Sequence, residues 1–538
     1  SFSPSYNKMF AKFTAHALLF GAAVIGVDGR LRDRRLVASS SNDRILIIGA
    51  GIAGLSAALD LLEQGHENVI LIEPKANLGG RLATISPTHN GTTFEGITLG
   101  AHWIFGTEDR EDLAEKSVLH ALAKNVGIPD SDYMQSHIYT DWAMSPPELA
   151  VTEKSYEKYA NCLYSEAESA WFRNITADKM ESTWQSVFGK CKVPPYLHNY
   201  LKTSLQEVEF GASVDINDMW VGAIWEGVKY TSEHNWKMGW TPIIDYLEQQ
   251  IVSKGGEIFK ERRVKKVLHR TKEDDARVFT VGVDSGVEKR FDVDRVISTV
   301  SLGVLKQTTG VRVVFEPPLP SSHQDAIDNI GFGLSEKTIL YFPNRFWEQS
   351  SLYNKYSIDY NQEGNTTNLT YTEIYFDQEK ASVQFFMGGR AVEEKVKSNA
   401  FNNYDHLRDE AMDVLRDIFD REGKVAVPNP VGYYQTRWCK DVYFRGGYSY
   451  LTNANIENGV VGLPDSHAAF DGKREGVFEG YSRDRLALAK PIESGAWAGR
   501  LFFAGEATSL GLPALATGAM ESGKRVAIEV DNAITSQC

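Results

Sequence analysis

The chain has 538 residues, 42% of them hydrophobic and 24% charged, which suits a globular enzyme of two or more domains and gives no sign of disorder or repeats. Its 57 lysines and arginines stand against 71 aspartates and glutamates, a net charge of −14, which opposes nucleic acid as a partner and favours cationic small molecules. Four cysteines are too few for a disulfide framework and show no metal-ligand spacing, so no metal is expected; Cys162 and Cys191 are a candidate pair in an oxidising compartment.

In chain order, the first element is a leader. From Met9, "MFAKFTAHALLFGAAVIGVDG" carries one lysine and then an apolar stretch, Phe13 to Val27, too short for a comfortable bilayer span and suited to a signal-peptide core. The expectation is a secretory signal within residues 1–40, no stable membrane span, and a secreted or secretory-pathway protein. A short membrane anchor and a disordered leader are the alternatives. "RLRDRR" then reads as a processing site or a basic linker, and "VASSSND" as a loop. Sequons at Asn90, Asn174, Asn365 and Asn368 agree with secretion, in about the number that composition alone would give.

Arg44 to Ile48 is an apolar run rich in β-branched residues, as expected of a parallel strand buried on both faces. Gly49, Gly51 and Gly54 follow with G-x-G-x-x-G spacing: one for a tight turn, one for close approach of backbone to pyrophosphate, one for helix-on-strand packing. A helix over about Ala53 to Gln64 points its first N–H groups at the phosphates. Val69 to Ile72 reads as the second strand, and Glu73 at its end lies 24 residues beyond Gly49, near the spacing of a carboxylate that binds an adenosine ribose. Together these elements predict a site for a diphosphate dinucleotide. Gly79-Gly80-Arg81 comes next. It resembles the extension of flavoproteins of the glutathione-reductase type, in which the arginine helps hold the flavin diphosphate, and so points to flavin over nicotinamide.

Further stretches carry chemistry. "GITLGAHWIFG", Gly96 to Gly106, reads as a strand leading into a glycine-bounded turn, with Trp103 and His102 either core or site. Val264 stands in "ERRVKKV", and "RVISTVSLGVLK" is a strand followed by a turn. In "IGFGLSEKTILYFPNRFW" Lys337 begins a strand of mixed facing, where a solvated lysine is the ordinary reading. "WCKDVYFRGGYSY", Trp438 to Tyr450, is aromatic and glycine-rich. Last, "RLFFAGEATSLGLPALATGAMESGKRVA" has a strand, Leu501 to Ala504, ending at Gly505-Glu506, and a glycine-spaced helix from near Gly518-Ala519, both features of an element whose N-terminus approaches a cofactor.

Taken in order from about residue 43 to 530, these motifs resemble the flavin amine oxidases: monoamine oxidases, polyamine oxidases and flavin-dependent histone demethylases. The resemblance implies roles. Gly100, Ala101, His102 and Trp103 run beside the isoalloxazine, and Lys337 is the catalytic residue, hydrogen-bonded through a water to flavin N5 and able to stay neutral by burial. Glu506 bonds a ribityl hydroxyl, and backbone N–H groups near Ala516 and Thr517 meet the pyrimidine end. The backbone of Val264 meets the adenine, Trp438 flanks the flavin, and Tyr443 and Tyr448 stand at the substrate cavity. The implied fold is α/β: a discontinuous Rossmann-like FAD-binding domain from residues 41–125, 240–310 and 480–538, and a substrate domain from 126–239 and 311–479 with a mixed β-sheet and flanking helices, most of them from Tyr133 to Asn235.

The implied activity is oxidation of an amine, foremost a polyamine, by O₂ to an aldehyde, a smaller amine or ammonia, and H₂O₂. FAD is expected to be non-covalent, because no cysteine stands in the C-terminal flavin segment. Two positions depart from the pattern. Leu515 is aliphatic where an aromatic cage residue is common, which argues against a monoamine-oxidase-like site; Phe105 stands where polyamine oxidases tend to carry His or Glu. Three rivals remain. An L-amino acid oxidase would place a carboxylate-clamping arginine just after the Leu-Gly turn, and "AHWIFG" has none. A histone-demethylase-like enzyme would need an appended partner-binding region and a long helical insertion, neither of which is expected here. A flavin-bound binding protein without turnover is the third, against which Lys337 argues.

Overall fold

The structure, a computed structural model, describes residues 42–105, 117–128, 133–135, 184–195, 219–221, 233–236, 238–272, 275–349, 357–358, 373–377, 379–422, 425–452, 460–462 and 480–536, with Tyr371 and parts of 159–170. The expected leader lies outside the described residues, as do Asn174, Asn365, Asn368, the side chain of Phe105 and most of the Tyr133–Asn235 stretch.

Arg44–Ile48 is the middle strand of a five-stranded parallel sheet in the order Glu257–Phe259, Asn68–Ile72, Arg44–Ile48, Arg295–Ser298, Leu501–Phe503. Its lack of polar alternation has a direct cause. Ile45 and Ile47 pack into a core with the helices Ile52–Glu63, Thr241–Ser253 and Ala516–Thr535. Leu46 and Ile48 face the opposite way, into a core shared with Val267 and Val278 of a four-stranded sheet, Glu288–Val293, Asp275–Gly282, Arg262–Arg270 and Val314–Glu316. Both faces are covered, so both sets of side chains are apolar.

A second five-stranded sheet is ordered Ser357–Ile358, Glu373–Phe376, Ser382–Gly388, Ser335–Tyr341, Gly432–Gln435, and its strands run antiparallel. Aromatic and aliphatic residues, among them Phe342, Phe385 and Phe419, fix it to the Tyr404–Glu422 helix. The strand bearing Lys337 starts two residues earlier than expected and lies between two neighbours, with all seven residues buried. A solvated strand-end lysine is therefore not what the fold contains.

Two other boundaries moved. The Gly96–Gly106 stretch forms two short strands, Ile97–Thr98 and Trp103–Phe105, which leaves Gly100 to His102 as backbone outside any strand between them. The C-terminal helix begins at Ala516, because Leu515 is the extended N-cap residue at φ −110°, ψ 154°. Cys162 and Cys191 are joined by a disulfide, and Cys439 is a free, half-buried thiol.

Candidate active site

A cavity of about 490 Å³ opens at the C-terminal edge of the parallel sheet, with Gly49, Gly51 and Glu73 in its wall, and extends to Lys337 and Phe386 of the antiparallel sheet. Its size falls within the range of about 300–1,000 Å³ usual for ligand sites. Gly54 takes no part in the wall. A Cβ there would stand 2.0 Å from the Gly49 carbonyl oxygen, so this glycine lets the helix sit on the strand. Gly51 is different: a Cβ would meet no described protein atom nearer than the Gly79 carbonyl oxygen at 4.0 Å. Gly80 and Arg81 also border the cavity.

Glu73 is buried, and two backbone N–H groups donate to it, Ala50 at 2.8 Å and Lys75 at 3.0 Å. Burial pushes its carboxyl above the usual range, with those two bonds and the Lys75 charge opposing. Val264 and Tyr443 line the same cavity. Burial pushes the Tyr443 hydroxyl up, and Glu73 is among the charges acting on it, which puts this tyrosine towards the Glu73 end.

Arg81 and Glu506, 425 residues apart, form an ion pair at 3.0 Å, and Arg81 Nη1 also donates to the Gly447 carbonyl. The other Glu506 oxygen accepts from Ser449 Oγ at 2.6 Å, from the Ser449 N–H and from the Ala514 N–H. Behind Ser449 lies Arg485, fully buried, donating to Ser449 Oγ and to the Ala507 carbonyl, both at 2.9 Å. Burial pushes Glu506 upward, but Arg81, Ser449 and Arg485 together outweigh it and hold the carboxyl below its ordinary value. Leu515 and Ala516 border the cavity beside this network, whereas Thr517 is buried behind them.

Lys337 is 2% exposed. Its Nζ donates to the Gly100 carbonyl at 2.9 Å, to His102 Nδ1 at 2.8 Å and towards Gln384 Oε1 at 3.4 Å. Burial, and then the Lys337 charge, hold His102 well below its ordinary pKa, so the ring is neutral. The ring lies 4.9 Å from that of Trp103 and is stacked 5.8 Å from Tyr375. The next carbonyl, Ala101, accepts from Trp240 Nε1 at 2.6 Å. Opposite, Trp438 bonds the Leu99 carbonyl at 3.3 Å and meets Phe444 edge-on. Tyr448 completes this part of the wall.

A model of the flavin containing amine oxidoreductase family matches residues 52–531. The chain belongs to this family. Lysine-specific histone demethylase 1 homolog 1 of Oryza sativa subsp. japonica is 25% identical over 90% of this chain and 52% of its own length. Polyamine oxidase 2 of Arabidopsis thaliana is 25% identical over 89% of this chain and 86% of its own. The chain thus spans about half the length of the demethylase homologues it matches, 52% and 54% for two of them. A solved structure of putrescine oxidase bound to putrescine shares the fold, with a TM-score of 0.63 at 15% identity over 91% of this chain and 99% of that one.

The cavity fits the flavin that the family's description names. The Gly51 backbone is open to close approach, and the Ile52–Glu63 helix starts beside it. His102 Nε2 and Thr517 Oγ1 are buried polar atoms with no hydrogen-bond partner among the described residues. Among those residues there is no group of three or more His, Cys, Asp or Glu suited to a metal, and no helix long and apolar enough to cross a membrane.

Four contributors escaped the sequence reading. Arg485 sits in "SRDR", which reads as surface charge at a helix start, and Ser449 lies within "WCKDVYFRGGYSY", where the aromatics and glycines carry the pattern. Gln384 meets Lys337 only across the sheet register. Glu336 also borders the cavity, its oxygens accepting from Thr436 Oγ1 at 2.5 Å and the Cys439 N–H at 2.8 Å. The one available signal was its place beside Lys337 at the start of the strand.

Proposed function

We propose that the chain is an FAD-dependent oxidase of a polyamine, with FAD held non-covalently and O₂ as the final electron acceptor. The observation that carries the reading is Lys337 Nζ, buried in the same cavity as the Gly51 loop and the Arg81–Glu506 pair. Gly51, Glu73, Arg81, Glu506 and the start of the Ala516–Thr535 helix would hold the cofactor. When bound, a flavin supplies the hydride acceptor and returns the electrons to O₂. The chain's own part is to orient and exclude water: Trp103, Trp438, Tyr448 and Leu515 form an apolar wall that favours an uncharged amine. The products are an aldehyde, a smaller amine or ammonia, and H₂O₂.

A long cationic amine is supported by the net charge of −14, by aliphatic Leu515 and by the lack of an arginine in "AHWIFG". The similarity to a protein named polyamine oxidase 2, over 86% of that protein's length, points the same way. A methylated lysine side chain is the second reading, favoured by the similarity to histone demethylase homologues. The test is H₂O₂ release across spermine, spermidine, acetylated polyamines, benzylamine, leucine and a methyl-lysine peptide. Polyamines should give the highest kcat/KM. A panel won by leucine or the peptide, or one in which no amine reduces the flavin, would overturn the reading. We place the protein in the secretory pathway on the support of the Cys162–Cys191 disulfide and the exposed Asn90-Gly91-Thr92 sequon. A glycosidase-sensitive mass shift on secreted protein tests that placement.

A further inference from the structure

Lys337 reaches the cavity on a long, flexible side chain, and something must fix where its ammonium stands. The non-strand segment between the Ile97–Thr98 and Trp103–Phe105 strands supplies two of its acceptors, the Gly100 carbonyl and His102 Nδ1. The two differ in kind. A carbonyl accepts whatever the conditions, whereas Nδ1 accepts only from a neutral ring whose proton is on Nε2. The Lys337 donor favours that form: with Nζ 2.8 Å from Nδ1, Nδ1 must be the unprotonated nitrogen, which puts the ring's proton on Nε2.

We infer that His102 is the positioning residue for Lys337: its Nδ1, in the Nε2–H tautomer, sets where Lys337 Nζ stands in the cavity, and ties that position to the Trp103 wall on the same segment. Here the sequence reading, which put His102 beside the flavin, gains a specific task. No proton changes owner in this role. The inference rests on the oxidase reading only for its turnover readout.

The test compares His102→Leu, which removes the acceptor, with His102→Asn, whose Oδ1 can replace Nδ1, each alone and combined with Lys337→Met. In flavin-loaded enzyme, His102→Leu should lower kcat about tenfold with KM within about twofold, and His102→Asn should stay within about threefold of the parent. In the Lys337→Met background, His102→Leu should cost nothing further. The visible flavin absorbance of each variant is a second readout that needs no substrate. His102→Leu and Lys337→Met should shift it alike, with no added shift in the double variant. If His102→Leu fails to fold, His102→Ala takes its place. Losses that multiply in the double variant, or an Asn variant as impaired as Leu, would overturn the inference. A protein that turns over no amine yet shows the coupled spectral shifts would instead refute the oxidase reading and leave the His102 assignment standing.

Discussion

Alanine at Gly51 and at Gly54 should fail in different ways, although the two glycines belong to one fingerprint. At Gly51 the backbone is at φ −71°, ψ 177°, which any residue adopts, and the new Cβ would clear protein atoms out to 4.0 Å. Gly51 is the N-cap of its helix, so alanine costs the cofactor-free protein under about 1 kcal/mol. At Gly54 the Cβ would stand 2.0 Å from the Gly49 oxygen and 3.1 Å from its carbon. Both are backbone atoms that cannot rotate away, so the cost exceeds the roughly 1–3 kcal/mol of ordinary overpacking. The assay is thermal unfolding of flavin-stripped parent and variants, with and without added FAD. A ligand at a hundred times its Kd stabilises the parent by about 2.7 kcal/mol. Gly51→Ala should melt near the parent without FAD and lose most of the FAD-dependent gain, because its methyl group stands where the diphosphate must approach. Gly54→Ala should melt low in both conditions. A Gly51→Ala protein that keeps the full gain, or one as unstable as Gly54→Ala when stripped, would refute the division of labour.

Lys337→Met should slow turnover by about a hundredfold, as for loss of a positioned proton-transfer group, and keep its flavin; unchanged turnover would assign the lysine to structure alone. Glu506 has a folded pKa below its ordinary 4.5, so its ionised form contributes stability that is full above that value and lost as pH falls through the folded one. Glu506→Gln should therefore flatten the acid limb of urea-unfolding stability below about pH 5 and cost about 2 kcal/mol at pH 7, less than for a wholly buried pair because Arg81 is 26% exposed. An unaltered acid limb would show that Glu506 is not the group responsible. Ala514 has φ +66°, in the left-handed region, so Ala514→Gly should raise stability by about 1 kcal/mol; a lower melting temperature would contradict that strain.

What was legible in the sequence was local. The strand–glycine–helix unit from Arg44 to Ile72 writes its packing into consecutive residues: a run apolar on both faces, then glycines where backbone meets backbone. Lys337 was findable only through the motifs around it, because a lysine in the polar half of a strand, between Glu336 and Thr338, has the same pattern whether its strand is central or at an edge. The register with Ser382–Gly388 and Gly432–Gln435 makes it central, and register between distant strands leaves no periodic trace. Arg485 is the harder case. Its role depends on Ser449 and on Ala507, and a buried arginine looks like a surface one until its partners are known.

Three buried carboxylates, Glu73, Glu336 and Glu506, border the cavity, which at first suggests a site built to bind a cation. Their bonds argue otherwise. Glu73 is held by the Ala50 and Lys75 N–H groups, Glu336 by Thr436 and Cys439, and Glu506 by Arg81, Ser449 and Ala514. Each pins a segment distant in sequence, and burial pushes the carboxyls of Glu73 and Glu336 upward, weakening them as anions. Beside Lys337 the wall is aromatic and aliphatic, and a protonated amine would meet the lysine's own ammonium. On the polyamine reading, and among the described residues, attraction of a cationic substrate would then come from the net charge, which steers an approach and is screened by salt over roughly 10 Å. The reacting nitrogen must lose its proton on entering. Higher ionic strength should accordingly raise KM for a polyamine more than it lowers kcat.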